Sequence, residues 1–201
     1  AQGIIVHSHN SLRLAEDWYG RGAAKDWVHI PHMRVPVVQP DRAKARHELG
    51  IPDGAFVVCS FGLLGQTKLN HRLLEAWLWS PLAQDANCRL VFVGQNEGGT
   101  YGAEMVRTIR EAGSGIEITG WADIEAYKLW LSAADAAVQL RTLSRGETSG
   151  TVLDCMNYAL PTIVNAHGAM RDISEEVVLK LSDEFSNEEL ALALVKLWRD
   201  E

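Results

Sequence analysis

The chain has 201 residues, of which 47% are hydrophobic and 22% charged, and its formal net charge is −7. This composition supplies a complete apolar core and excludes a disordered or fibrous protein. The negative charge and the lack of a basic run exclude nucleic acid as the main partner, because a phosphate-binding surface of that kind needs a basic stripe. No apolar run is long enough to predict a transmembrane helix.

Apolar runs alternate with amphipathic stretches along the chain. Strands are predicted at 3–7, 55–61, 89–93, 116–119, 136–140, 161–164 and 177–181. Helices are predicted at 40–49, 69–79, 103–112, 123–133, 150–158 and 187–198. Because the strands are nearly continuous apolar runs, helices are expected on both of their faces. We therefore predict an α/β protein with a doubly wound parallel sheet, whose ligand lies beyond the carboxyl ends of the strands.

A loop of small residues at 145–151 leads into a predicted helix that carries Asp154. The first N–H groups of such a helix are unpaired, and the positive end of the helix dipole lies behind them, which suits a diphosphate. The candidate contacts at this helix start are Ser149, Gly150 and Thr151. The alternative is that Thr148 or Ser149 only caps a buried helix.

The run from Arg145 to Met156, with the Pro-led strand after it, resembles the donor-binding segment of retaining GT-B glycosyltransferases of family 4. In that family, a Glu-Gly-Phe-Gly loop leads into a helix whose second acidic residue comes eight positions after the first. Asp154 falls on the second position, which implies contact with the ribose. Gly146 stands at the first position, and a positive φ there would carry the next residue, Glu147, inward. The resemblance then implies a catalytic role for Glu147, which would hold a sugar hydroxyl or stabilise the sugar ring.

The loop after the strand at 55–61 contains Gly62 and ends in Lys68. It resembles the Val-Gly-Arg loop of the same family, which ends in Lys-Gly and whose two cations neutralise the diphosphate leaving group. Lys68 matches the lysine and is the second predicted catalytic residue. Leu63 stands at the usual arginine, so Arg141 or Arg145 is expected to supply the missing charge. The alternative for Lys68 is an ordinary solvated side chain.

Two further loops follow in the same order as in the family. Gly94 and Asn96 follow one predicted strand, and Gly120 and Trp121 follow the next. The resemblance places these residues on the donor, with the strand before Gly120 beside the nucleotide base. Trp121 offers the base a flat apolar surface, and the alternative is that Trp121 packs in the core.

The resemblance implies retaining transfer of a hexose from a nucleotide diphosphate sugar to an acceptor hydroxyl. The sequence around the acidic loop and α-helical segment at 145–156 is most similar to that of mannosyltransferases that build bacterial O-antigen or capsule, so GDP-mannose is the expected donor. The sequence has no Asp-x-Asp motif, and we expect neither a metal nor a cofactor, the leaving group being neutralised by side chains and the helix start. Two alternatives remain open: a GT-B sugar-nucleotide epimerase, and a non-catalytic domain that binds a nucleotide sugar.

Residues 1–30 resemble the tail of the family's N-terminal acceptor domain and the crossover from it, and residues 31–201 resemble its nucleotide-sugar-binding domain. We therefore expect a fragment of a longer enzyme, inactive in transfer without the half that holds a saccharide or lipid-linked saccharide acceptor. A cytoplasmic location is expected, and peripheral association of the full-length protein with the inner face of the membrane is compatible with it.

Three cysteines, Cys59, Cys88 and Cys155, have no metal-ligand spacing, and they are predicted to be reduced and mostly buried. His7 and His9 would share one face of a strand. Because their neighbourhood offers no further ligands, no zinc site is predicted there.

Overall fold

The computed structural model describes residues 3–38, 40–113 and 115–199, and strands alternate with helices along them. The strands are β1 (Ile4–Val6), β2 (Trp27–His29), β3 (Phe56–Phe61), β4 (Cys88–Val93), β5 (Ile116–Ile118), β6 (Ala136–Gln139), β7 (Thr162–Asn165) and β8 (Leu179–Leu181). The helices are α1 (His9–Tyr19), α2 (Arg42–Glu48), α3 (Asn70–Trp79), α4 (Gly99–Ala112), α5 (Ile124–Ala133), α6 (Gly150–Asn157) and α7 (Asn187–Arg199).

Six of the strands form one parallel sheet in the order β5-β4-β3-β6-β7-β8. The order reverses between β3 and β6, which is the arrangement of a doubly wound fold with its switch point at that pair. This confirms the predicted fold class. β1 and β2 form a separate parallel pair, with Ile5 opposite Val28.

Alternate side chains of the central strand β3 reach opposite faces of the sheet. Val58 packs in a cluster with residues of α3, α4 and α7, whereas Val57 and Cys59 pack in a cluster with residues of α2, α5 and α6. All three side chains are completely buried. Burial on both faces is the reason why these strands have continuous apolar sequences.

The predicted strands and helices of the six-stranded domain are all present, and most of their ends differ by one or two residues. The helix predicted to begin at residue 103 begins at Gly99 instead. Gly102 lies inside its first turn, where an added Cβ would come 1.7 Å from the carbonyl oxygen of Glu97. This first turn was not predicted because it contains Gly99 and Gly102, and glycine is a poor helix former.

α1 and β2 were not predicted from the sequence. α1 is mostly polar, and it begins at Ser8, whose side chain accepts a hydrogen bond from the backbone N–H of Ser11. β2 has only three residues and leads directly into the proline-containing connector. The outer limits of the two predicted domains, residues 1 and 201, lie outside the described residues.

All three cysteines are buried free thiols, as predicted. Burial raises the pKa of Cys155 to about 12 and that of Cys88 to about 11, so both are protonated at neutral pH. Within the described ranges, no helix has the length and apolarity needed to cross a bilayer.

Arg46 connects α2 to the sheet through a buried ion pair. Its side chain is 4% exposed, its Nη2 lies 2.6 Å from Asp135 Oδ2, and its guanidinium also donates to backbone carbonyls such as that of Ala133. Arg42 pairs with the other oxygen of Asp135, but its side chain is 47% exposed. The two arginines therefore offer a matched comparison of a buried and an exposed contact to one carboxylate.

We predict that Arg46→Met lowers the free energy of unfolding by about 3 kcal/mol, because it leaves buried carbonyls without their donor and removes the buried cation from the Asp135 carboxylate. Arg42→Met should cost under about 1 kcal/mol, as exposed ion pairs do. Urea denaturation of the two variants measures both values. Equal losses would show that burial does not determine the contribution of these contacts.

Candidate functional site

Loops that follow the carboxyl ends of β3 and β6 come together at the switch point of the sheet. The backbone N–H of Thr142, after β6, donates to the carbonyl of Thr67, after β3, at 3.0 Å. Crevices at this position are where open α/β sheets bind their ligands. The predicted site residues on both loops are thereby brought to one edge of the sheet.

Gly62 lies between the two predicted phosphate-binding elements. An ideal Cβ on Gly62 would be 3.8 Å from Lys68 Nζ and 3.8 Å from Thr151 Cγ2, and its φ is +101°. Gly94 packs against Gly62 so closely that a Cβ on it would come 2.1 Å from the Gly62 carbonyl oxygen. Backbone contact therefore requires glycine at 94 and holds the loops after β3 and β4 together.

Lys68 is half-buried at the end of a short 3-10 helix, Gln66–Lys68, and is not the solvated side chain of the alternative interpretation. Burial, together with the positive charge of Arg141, lowers the pKa of Lys68 to about 8, while Glu147 opposes this change. Burial also lowers the pKa of Arg141, again opposed by Glu147. Two partly buried cations thus lie within electrostatic range of one exposed carboxylate.

Of the two arginines expected to replace the missing family cation, Arg141 is the one whose charge acts on Lys68. Its Nη2 donates to Ser149 Oγ at 3.4 Å. Arg145 is exposed, and its backbone N–H donates to Glu147 Oε2 at 2.7 Å. Leu63, at the position of the usual arginine, is 64% exposed.

Gly146 fixes the path of the acidic loop. Its φ is +97°, as expected, and its carbonyl accepts hydrogen bonds from Ser8 Oγ at 2.8 Å and Ser11 Oγ at 2.6 Å. The loop is thereby attached to the start of α1, a contact that sequence reasoning missed. Gly146 is buried, and Glu147 beside it is exposed.

Helix α6 begins without a side-chain cap. Ser149 occupies the N-cap position but makes no capping hydrogen bond, and Thr148 Oγ1 donates instead to the carbonyl of His7 at 2.8 Å. Ser149 Oγ lies 3.2 Å from Thr151 Oγ1. The capping alternative is therefore wrong for this helix, whose first turn keeps N–H groups that can bind an anion.

Asp154 is held by two side chains that the sequence analysis did not identify. Its Oδ1 accepts from Arg34 Nε at 2.5 Å and its Oδ2 from the Tyr127 hydroxyl at 3.0 Å. Burial and the charge of Asp154 raise the pKa of Tyr127 well above its ordinary range, so this hydroxyl keeps its proton. Neither partner could be found from sequence, because Arg34 is 120 residues and Tyr127 27 residues away from Asp154 along the chain.

Trp121 is 82% exposed, so the alternative that it packs in the core is wrong. It lines a cleft of about 100 Å³ together with Gly62, Leu63, Gly94 and Tyr127. The cleft therefore borders the contact between Gly62 and Gly94.

Thr119 and Asn96 hold the neighbouring backbone. Thr119 Oγ1 accepts from the N–H of Gly94 at 3.1 Å and donates to the carbonyl of Gly120 at 2.9 Å. The φ of Gly120 is +76°. Asn96 Nδ2 donates to the Gly102 carbonyl at 2.9 Å, so this side chain binds the start of α4.

His7 and His9 do not form a metal site in the part of the chain that the structure describes, where no three His, Cys, Asp or Glu side chains could hold an ion. The ring of His7 lies 5.1 Å from that of His32, and the ring of His9 lies 4.1 Å from that of His29.

The family model of the group 1 glycosyl transferases matches residues 55–200. No protein of curated function matches the sequence significantly.

Solved structures of similar fold include HepE from Anabaena in complex with UDP, with a TM-score of 0.83 and 21% identity, covering 100% of this chain and 55% of that one. Sucrose-phosphate synthase from Thermosynechococcus elongatus gives a TM-score of 0.78 at 23% identity, covering 100% of this chain and 50% of that one. The C-terminal domain of the group 1 protein LpcC from Francisella tularensis gives 0.67 at 22%, covering 81% and 84%. The chain thus spans about half the length of the first two, and at these identities the likeness shows the fold, which is that of a GT-B Rossmann-like domain.

We predict that Lys68→Met makes the unliganded protein more stable at pH 7. Below pH 8 the lysine is charged in both the folded and unfolded states, and its partial burial is a constant cost. Between pH 8 and the ordinary value of 10.5, the unfolded chain binds more protons, so the stability of the wild type rises relative to the variant.

Urea denaturation at pH 7 and pH 9.5 tests this, with Lys128→Met as the control because Lys128 is exposed and pairs with the exposed Glu125. The stability advantage of Lys68→Met should shrink at the higher pH. A variant that is less stable than the wild type at pH 7 would contradict the burial of a charged Lys68.

Proposed function

Because the chain belongs to the group 1 glycosyl transferases, we propose that it forms the nucleotide-sugar-binding half of an enzyme that transfers a hexosyl group to an acceptor hydroxyl. The observation that supports this most strongly is the meeting of Lys68, Arg141 and the uncapped start of α6 at the switch point. Positive groups aimed at one space suit a diphosphate, which is the leaving group of this reaction.

The proposed chemistry depends on charge that develops as the sugar departs. Negative charge builds on the β-phosphate, and Lys68 in its protonated form opposes it together with the first N–H groups of α6. With a pKa of about 8, Lys68 is mostly protonated at neutral pH, and a bound diphosphate would favour the proton further. Glu147 is proposed to stabilise the sugar ring or to hold a sugar hydroxyl, in a retaining reaction without a metal.

The nucleoside is proposed to lie along the loops of β3, β4 and β5. Asp154 would accept a hydrogen bond from the ribose, and Trp121, which is exposed beside the cleft, would cover one face of the base. Gly62, Gly94 and Gly120 carry no side chains that would obstruct the backbone. Asn96, Arg145 and the residues Ser149, Gly150 and Thr151 complete the proposed donor contacts.

GDP-mannose remains the proposed donor, from the resemblance to polysaccharide mannosyltransferases. The Anabaena relative is described in complex with UDP and with UDP-glucose, which supports a nucleotide sugar as the ligand class. The proposed acceptor is a saccharide or lipid-linked saccharide of a surface polysaccharide, held by a preceding domain of which residues 1–30 are the tail. The proposed location is cytoplasmic, and peripheral association of the full-length protein with the inner face of the membrane is compatible with it. The family match does not favour the epimerase or the non-catalytic alternative.

We predict that the chain binds GDP or UDP and transfers no sugar by itself. Lys68→Met should weaken binding about 10- to 100-fold, since it removes a charge-assisted contact worth about 1.5–3 kcal/mol. Calorimetric titration with GDP, UDP and ADP measures this, and Lys128→Met serves as the exposed-lysine control. Unchanged affinity in Lys68→Met, or robust transfer by residues 1–201, would refute this prediction.

We also predict that Asp154→Asn and Glu147→Gln have different effects. Asp154→Asn should weaken binding of free nucleoside diphosphate, whose ribose is present with or without the sugar. Glu147→Gln should leave that affinity nearly intact but reduce turnover in the full-length enzyme, because its contact strengthens in the transition state. If Glu147→Gln lost as much nucleotide affinity as Asp154→Asn and kept full turnover, the proposed role of Glu147 would be wrong.

A further inference from the structure

The connector between β2 and α2 is attached to helix α6 at both ends of the helix. Arg34 Nη2 donates to the carbonyl of Gly150 at 3.0 Å, at the start of α6. Near its end, Asn157 Nδ2 donates to the carbonyl of Val35 at 2.9 Å. The helix that begins at the proposed phosphate site is thus held by a segment more than 110 residues earlier in the chain.

The guanidinium of Arg34 is oriented by several partners at once. Besides Asp154 Oδ1 at 2.5 Å, it contacts His32 Nδ1 at 2.7 Å and the Met33 carbonyl at 3.2 Å. A side chain at position 150 would place its Cβ 2.9 Å from Arg34 Nη2, so Gly150 leaves room for the guanidinium. Arg34 is 23% exposed and Asp154 27% exposed, which shields the pair from solvent.

Tyr127 completes the arrangement from the other side. Its hydroxyl donates to Asp154 Oδ2 at 3.0 Å, while Arg34 holds Oδ1. One donor on each oxygen fixes the plane of the carboxylate. Each oxygen of a carboxylate has two acceptor positions, so one on each remains for a further donor.

We propose that Arg34 and Tyr127 are positioning residues, which orient the carboxylate of Asp154 so that its remaining acceptor positions face the two ribose hydroxyls of the nucleotide. This inference rests on the proposed function of the chain. Two vicinal hydroxyls match a carboxylate only when its plane is fixed, and a freely rotating carboxylate would lose entropy on binding. Arg34 would act through Asp154 and would not itself touch the donor.

The test compares a nucleoside diphosphate with its 2′,3′-dideoxy analogue, which has the same charge and base but lacks both hydroxyls. Calorimetric titration of residues 1–201 uses GDP with dideoxy-GDP, and UDP with dideoxy-UDP. The ratio of the two affinities measures recognition of the ribose alone. A change in stability, or in the attraction of the site for the diphosphate, would affect both ligands of a pair equally and cancel in this ratio.

We expect the wild type to prefer the ribonucleotide by at least about 10-fold, as for a charge-assisted hydrogen bond. Arg34→Met should reduce this preference about 5-fold or more, and Tyr127→Phe should reduce it in the same direction. Arg13→Met is the matched control, because Arg13 also joins the N-terminal segment to the six-stranded domain, through Asp172 at 2.8 Å. Its preference should equal that of the wild type.

Each of the following outcomes would overturn the positioning role. If the wild type binds neither GDP nor UDP, the proposed function fails and the positioning role fails with it. If the wild type binds without a preference for ribose, or if Arg34→Met keeps the full preference, only the positioning role is overturned. Tighter binding by Arg34→Met would show that Arg34 competes with the ribose for Asp154, and would also overturn it.

Discussion

The short pairing of β3 with β6 is the constraint on which the rest of the site depends. These strands are in register only at Val58 with Ala136 and Cys59 with Ala137. β3 pairs with β4 along its whole length, whereas its pairing with β6 ends at Cys59. The loops that leave the two strands are joined at the carboxyl edge by the bond from the Thr142 N–H to the Thr67 carbonyl. The crevice lies at this junction, where Lys68, Arg141 and the start of α6 meet.

The charged groups of the crevice lower the stability of the folded state. The pKa values of Lys68 and Arg141 are both lowered, chiefly because burial disfavours their charged forms. Glu147 partly offsets this, and its own path is fixed by the bonds from Ser8 and Ser11 to the carbonyl of Gly146. Functional sites commonly tolerate such strain because the remaining structure stabilises them. In this chain, one layer of helices on each face of β3 supplies that support.

Sequence alone predicted the elements that are buried on both faces. β3, predicted at 55–61, spans Phe56–Phe61, because its apolar run reflects helices above and below it. α1 escaped prediction, since its sequence is mostly polar and only Asn10 and Ala15 within it are buried. The glycines of the site were predicted because they follow strands. The distance of 2.1 Å between a Cβ at position 94 and the Gly62 carbonyl oxygen, which makes glycine necessary there, could not be predicted.

Contacts between distant segments explain what sequence reasoning missed at the site. Arg34 lies in the proline-containing connector between β2 and α2, and nothing in its local sequence indicates a partner on α6. The exposure of Trp121 likewise depends on how the loop after β5 leaves the sheet, which local sequence does not determine. Lys68 and Asp154 were predicted through the family resemblance, and the structure brings Lys68 close to the start of α6, the helix that carries Asp154.

A crystal structure of residues 1–201 with a bound nucleoside diphosphate would test the central claim most directly. We expect the β-phosphate within hydrogen-bonding distance of Lys68 Nζ and of the first N–H groups of α6, with the ribose at Asp154. A nucleotide bound elsewhere would contradict it, for example in the cavity lined by Trp77, Arg89 and Glu117.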